Sequence, residues 1–370
     1  MPAPEPDLTA EALRARFDGA GPMTVGLEEE VLLLDPEVFD LTPRAAEVLD
    51  ALDDPSRFKP ELPAAQLEIV TAPHATADAA LAELADSRAD LVDGAAGIAR
   101  PAATGLHPFA FPLGELAPLD AYAHTRQEYG MIAKLQLVSA LQVHVAVGGA
   151  ERSLAVYNAL RSYLPEILAL SANAPFYVTE DTGMASARPK INDLLPRQGI
   201  PPPIASWEEF AEELRWGTTA GNLLGARTWW WELRPHPAFG TLEVRVPDAQ
   251  STIGDATAVV TTVVALIAHL AARHDAGEPL PVAPTWRIEE NRWSAARHGA
   301  AGTLADLETG ERIPARERIG SLLTEIGAEH ARPLLEYGGH MRQRAIAAEH
   351  GMAGLGEWLA GAFAPDLSGP

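Results

Sequence analysis

Residues Thr24–Asp35, TVGLEEEVLLLD, constrain this chain most, because they read as an apolar strand carrying two carboxylates on one face. Side chains alternate along a strand, so Glu28 and Glu30 point one way and Val25, Leu27, Val31 and Leu33 the other. Ionised carboxylates are rarely buried unless paired or bound to a metal, and neighbouring like charges raise one another's pKa unless a cation neutralises them. The pattern therefore points to a magnesium-type site. The competing reading is a strand with a solvated acidic face.

Composition narrows the function. Of 370 residues, 51 are acidic and 28 basic, a formal net charge of −23, and the lysines are Lys59, Lys134 and Lys190. Without a basic footprint, nucleic-acid binding is not expected, whereas an anionic substrate needs metal ions and arginines to reverse the field locally. Cysteine is absent, which excludes disulfides, thiolate metal sites and a cysteine nucleophile. The acidic, Pro-rich N-terminus has no apolar core of a secretory signal. The apolar run Ala256–Ala272 contains threonines and His269 and is short for a membrane span, so it is expected to be a buried helix. No membrane partner and a cytoplasmic location are the corresponding expectations.

Periodicity predicts an N-terminal arm over residues 1–22 with one short helix, a single domain over 23–364 and a frayed tail over 365–370. Strands are expected at about 23–34, 65–71 and 137–147, with helices at 75–98 and 206–216 and a kink at Pro165 in a helix over 151–171. Residues 181–203, with Gly183, Gly199 and three consecutive prolines, read as a long loop, a type of segment that is usually functional. Residues 229–235 and 240–247 form a predicted hairpin, and 284–350 read as mostly helical.

Five strands share one design, an apolar face opposite groups suited to metal or phosphate. They offer Glu28 and Glu30; Gln66 and Glu68, with Glu61 upstream; Gln142 and His144; Glu232, Arg234 and His236; and Glu243 with Arg245. A single such strand is an ordinary wet face, but five suggest a sheet lining a polar pocket. Carboxylate oxygens suit Mg²⁺ or Mn²⁺ better than zinc, and interleaved arginines suit phosphate or carboxylate. Metals and arginines without an evident nucleophile point to phosphoryl transfer. The P-loop, the dinucleotide-binding glycine motif, G-x-S-x-G and H-E-x-x-H are all missing. Taken singly, His144 fits a structural histidine, Arg245 a same-face ion pair, Trp229–Trp231 core packing, and Arg292 and Arg297 an exposed ion-pair ladder.

Together, TVGLEEEVLLLDPE, QLEIVTAP, GLHPFA, YLPEILALSANAPF with DTGMASAR, WWWELRPHPAFGTLEVRVPD and ENRWSAARHG resemble the carboxylate–amine ligases of the type-2 glutamate–cysteine ligase group, related in fold to glutamine synthetase. The resemblance spans about residues 23–310 in the family's order. It implies an α+β fold whose curved, mainly antiparallel sheet forms a funnel with helices outside. It also implies an ATP- and Mg²⁺-dependent (or Mn²⁺-dependent) ligase that joins a glutamate-like acid to an amine through an acyl phosphate. Matched position by position, it assigns Glu28, Glu30, Glu68 and Glu243 to metals, with Glu61 nearby. Arg188 and Arg245 fall to phosphate, Arg234 to the substrate carboxylate, and Gln142 and His144 to substrate or nucleotide. A homodimer is among the assemblies it allows. Many bacterial members carry histidine where this chain has Gln142, which leaves that strand's contacts open. The alternatives are a metal-dependent hydrolase and an inactive binding protein on the same fold.

Overall fold

Alternation along the first carboxylate-bearing stretch produces β1 (Val25–Leu34), the longest strand of a seven-stranded antiparallel sheet. A computed structural model describes residues 8–221 and 228–364 of the chain. The other strands are β2 (Phe58–Pro60), β3 (Gln66–Val70), β4 (Arg100–Ala102), β5 (Leu141–Val145), β6 (Leu233–His236) and β7 (Thr241–Val244). Their order is β2-β3-β1-β5-β7-β6, with β4 pairing the far end of β1. β6 and β7 form the expected hairpin, which turns through Gly240 at φ 68°. A Cβ at Gly240 would also lie 2.6 Å from the Arg16 carbonyl oxygen, so glycine serves both the turn and a close approach.

The two faces of β1 have different fates. Val25, Leu27, Val31 and Leu33 enter the main core with the helices Ala77–Gly94 and Ile253–Asp275. On the other face, Leu32 and Leu34 lie under Leu355 and Leu359 of the C-terminal helix Gly339–Phe363, which leaves Glu28 and Glu30 uncovered. Glu29 departs from the apolar pattern of its face: it is fully buried and paired with the fully buried Arg88 of Ala77–Gly94. The Arg88 guanidinium also donates to the Gln250 carbonyl and lies 4.6 Å from the Phe363 ring.

Several expectations are corrected. Pro165 does not kink one long helix: a 3-10 turn at Arg161–Tyr163 separates Ala150–Leu160 from Leu164–Ser171, where Pro165 occupies the first turn and its missing N–H costs nothing. The long loop holds a short helix, Arg188–Asn192. The mostly helical C-terminal region contains a two-stranded hairpin, Thr303–Ala305 with Arg312–Pro314. Arg292 is not on an exposed ladder but is 3% exposed. The helix at Ser206 runs over Trp207–Thr219; Ser206 caps the Glu209 N–H, while the Glu209 carboxylate reaches back to the Ala205 N–H.

The helix Ala10–Gly19 buries Leu13 and Phe17, whose ring centroid lies 4.7 Å from that of Trp207. Ile253–Asp275 is long and apolar enough to cross a bilayer, but half of its most apolar window is buried inside the fold, against Ala150–Leu160 among others. The tail expected to fray, 365–370, lies outside the described residues.

Candidate functional site

Register converts separate strand patterns into one polar surface. Glu30 pairs across β1–β3 with Glu68, Glu28 across β1–β5 with Gln142, and His144 across β5–β7 with Glu243, which faces Arg234 on β6. Cross-strand neighbours share a face and approach to about 5 Å between Cβ atoms. These alternating positions therefore form a continuous row.

At its centre, Glu28, His144 and Glu243 each aim one ligand atom at a common point, all three atoms within 4.8 Å of one another. His144 Nε2 is 3.7 Å from Glu28 Oε1 and 4.0 Å from Glu243 Oε1, yet it is buried without a hydrogen-bond partner among the described residues. Its Nδ1 lies 3.0 Å from Thr241 Oγ1, which fixes the ring. One imidazole nitrogen and two carboxylates, with the nitrogen unsatisfied, form a donor set that fits a divalent cation.

The remaining carboxylates carry the electrostatic cost of crowding. Burial and the charge of Glu30 push Glu61 up to about 7, and burial with Glu28 and Glu61 pushes Glu68 well above the usual range. Burial also raises Glu30, although it accepts N–H bonds from Ala140 (2.8 Å) and the Gln142 amide (2.9 Å). Glu28 and Glu243 go the opposite way. Burial opposes their charge, but His144 holds Glu28 at about 2, and Arg234 and Arg245 hold Glu243 well below the carboxylate range. Lys59, 3.4 Å from Glu68, is a cation the sequence reading did not use.

The arginines occupy distinct positions. Arg245 contacts both the Glu243 carboxylate and the Gln142 amide oxygen, and Arg234 binds the other Glu243 oxygen. Gln142 thus donates to Glu30 while accepting from Arg245, a double role that suits a primary amide. Arg188 opens its short helix 2.6 Å from Asp248 Oδ1, and Asp248 also binds the Ser186 hydroxyl and the Asn173 N–H.

Two cavities flank the row. One, of about 180 Å³, is lined by Glu30, Glu61, Tyr122, Arg188, Glu232 and Arg245 among others. The second, of about 450 Å³, is bounded by Gly26, Glu28, Lys59, Val70, His144 and Phe239 among others. All of the sequence-predicted site residues therefore fall on one surface. Sequence reasoning read Trp230 of the first cavity as core packing and did not single out Lys59 and Phe239 of the second. Alternation pointed to Glu232, but nothing local showed that a buried Arg292 would hold it.

The family model described as glutamate-cysteine ligase family 2 matches residues 24–352. A protein named "Putative glutamate–cysteine ligase 2-3" from Rubrobacter xylanophilus is 37% identical over 361 residues, covering 92% of this chain and 96% of that protein. A "Putative glutamate–cysteine ligase 2" from Thermobifida fusca is 30% identical over 356 residues, covering 91% and 89%. Among solved structures, a Francisella tularensis glutamate–cysteine ligase in complex with AMP superposes with a TM-score of 0.68 at 13% identity, covering 94% of this chain and 90% of that one. A bifunctional glutathione synthetase from Pasteurella multocida gives 0.63 at 16% identity, covering 95% and 53%. At such identities the structural likeness is one of fold: mixed helix and antiparallel sheet.

Proposed function

The chain belongs to glutamate-cysteine ligase family 2, enzymes that form carbon–nitrogen bonds, and we propose that it joins a glutamate-like acid to an amine using ATP and Mg²⁺ or Mn²⁺. The observation that carries the reading is the convergence of Glu28, His144 and Glu243 beside Arg234 and Arg245. Such a site gathers hard ligands for a cation and fixed guanidinium groups for anions. The proposed unit is one domain over 23–364, working in the cytoplasm, with the polar face of the sheet as the wall of a funnel.

Glu28, His144 and Glu243 would hold the metal, with Glu30, Glu68 and Glu61 close by; once bound, it would neutralise phosphate charge. Arg245, with its Glu243 and Gln142 partners, presents a planar cation to the phosphoryl group in transit, and Arg188 adds a second. The more apolar 450 Å³ cavity suits the nucleoside, and the charged 180 Å³ cavity suits the acid. The substrate carboxylate attacks the γ-phosphate of ATP, releasing ADP and forming an acyl phosphate. The amine then attacks the acyl carbon, and phosphate and a proton leave. Gln142 fits an active site: by bridging Glu30 and Arg245 it orders both, which argues against an inert scaffold.

The test is ADP release from ATP with Mg²⁺ and glutamate across an amine panel that includes cysteine, with the product identified by mass. Release that depends on both acid and amine, with an amide product, is expected. Turnover of a substrate without nucleotide would assign a hydrolase instead. Silence with every pair, beside measurable ATP binding, would return the chain to a binding role.

A further inference from the structure

Arg188, set above beside the phosphoryl group in transit, opens a helix of only five residues at the end of a loop. A helix that short is unstable by itself, so the side chain takes its place from its partners. Arg188 is 3% exposed and Asp248 is wholly buried. Arg188 Nε donates to Asp248 Oδ1 at 2.6 Å, and its Nη2 to the Val246 carbonyl at 2.5 Å and the Arg245 carbonyl at 3.5 Å. Nη1 makes no hydrogen bond among the described residues, and the side chain lines the 180 Å³ cavity. The guanidinium is therefore gripped along its Nε–Nη2 edge, with one nitrogen left for a ligand.

Asp248 is itself fixed from several sides. Its Oδ1 also accepts from the Ser186 hydroxyl at 3.0 Å, and its Oδ2 from the Asn173 N–H at 2.6 Å. Asn173 donates its side-chain amide to the Ala249 carbonyl and the Ser251 hydroxyl, and its Oδ1 accepts from Gln343 of the C-terminal helix at 2.8 Å. Backbone closes in around both residues. A Cβ at Gly105 would lie 2.7 Å from Asp248 Cγ, and one at Gly339 would lie 2.2 Å from Asn173 Oδ1. A buried polar network of this kind leaves its members one arrangement. It runs unbroken from the C-terminal helix to the arginine on the cavity wall.

We propose that Asp248 is a positioning residue, which clamps the Nε edge of Arg188 so that Nη1 meets the phosphoryl group. Loss of Asp248 then acts on turnover through Arg188. The effect on kcat rests on the ligase reading above; the effect on nucleotide binding does not.

The test is a double-mutant cycle of Asp248→Asn and Arg188→Ala. It is read as kcat for acid- and amine-dependent ADP release, and as calorimetric affinity for ADP and for the non-hydrolysable β,γ-imido-ATP with Mg²⁺. Asp248→Asn should lower kcat by about ten- to a hundredfold, the scale of a catalytic group displaced by about 1 Å. The double variant should be no slower than Arg188→Ala, because the clamp then has nothing to hold. Wild type should prefer the imido analogue to ADP, and both single variants should lose that preference while keeping their affinity for ADP. Should Asp248→Asn not fold, Ser186→Ala carries the test: it should lower kcat severalfold in wild type and not at all beside Arg188→Ala. Wild-type kcat in a folded Asp248 variant or in Arg188→Ala, or losses that multiply in the double variant, would overturn the assignment. A wild type that releases no ADP, yet whose preference for the imido analogue both variants abolish without adding, would sink the ligase reading and leave the clamp standing. A silent wild type without that preference would sink both.

Discussion

Glu28, His144 and Glu243 come from three different strands, and each answers a different electrostatic question. Glu243 is held ionised by two arginines, Glu28 by the histidine, and His144 keeps one nitrogen without a partner among the described residues. Glu28→Gln and Glu243→Gln should each lower turnover by at least about a hundredfold, since each removes a charge while keeping the shape. The circular dichroism spectrum should stay native and Mn²⁺ binding, read by electron paramagnetic resonance, should weaken. Full activity in either variant would remove the metal assignment. Arg245→Lys should be impaired to a similar degree in kcat, because an ammonium that takes over the Glu243 and Gln142 contacts of Arg245 Nη1 leaves no planar set of further donors for the phosphoryl group. Unchanged kcat would reduce Arg245 to an ion pair. These residues were legible from alternation alone. Glu29 was not: it sits on the apolar face, and its partner Arg88 lies 59 residues away.

At the scale of elements, that Glu29–Arg88 pair ties β1 to the helix behind it. Arg88→Met strands a buried charge and should cost about 3–5 kcal/mol in urea unfolding, much of it recovered in the double variant with Glu29→Gln. No recovery would mean that the arginine acts through its Gln250 and Phe363 contacts. The β1–β3 carboxylates have their own pH dependence. Glu61 is raised from 4.5 to about 7, so its contribution to stability is complete below 4.5 and is lost as pH rises through 7; Glu68 shifts the same way. The cation-free protein should therefore lose stability at this cluster as pH rises from 4.5 through about 7. Added Mg²⁺ or Mn²⁺ competes with those protons and should raise Tm more at pH 8 than at pH 6. An equal or reversed effect in scanning calorimetry would separate the cluster from cation binding.

Over the whole molecule, the ends of the chain shape the site as much as its centre does. The helix Ala10–Gly19 seats Phe17 on Trp207, and Gly240 in the β6–β7 turn packs against the Arg16 carbonyl. Phe17→Ala should cost about 3–5 kcal/mol of stability by chemical denaturation. A cost near zero would show the helix to be an accessory. At the other end, Gly339–Phe363 covers Leu32 and Leu34, so the polar face of β1 is open only where Glu28 and Glu30 lie. By itself the sequence determined the five strands that carry the polar row, the carboxylates and arginines on one face of them, and the family, because alternation and motif order are local and survive without coordinates; the short strands Phe58–Pro60 and Arg100–Ala102 and the hairpin Thr303–Ala305 with Arg312–Pro314 carry too few residues for alternation to show. Only the tertiary structure decided that Glu28, His144 and Glu243 share one point, that Glu29 faces Arg88, that Arg188 leans on Asp248, and that Arg292 holds Glu232. Those outcomes depend on strand register and on closure over long stretches of chain, and a period of two residues carries no record of either.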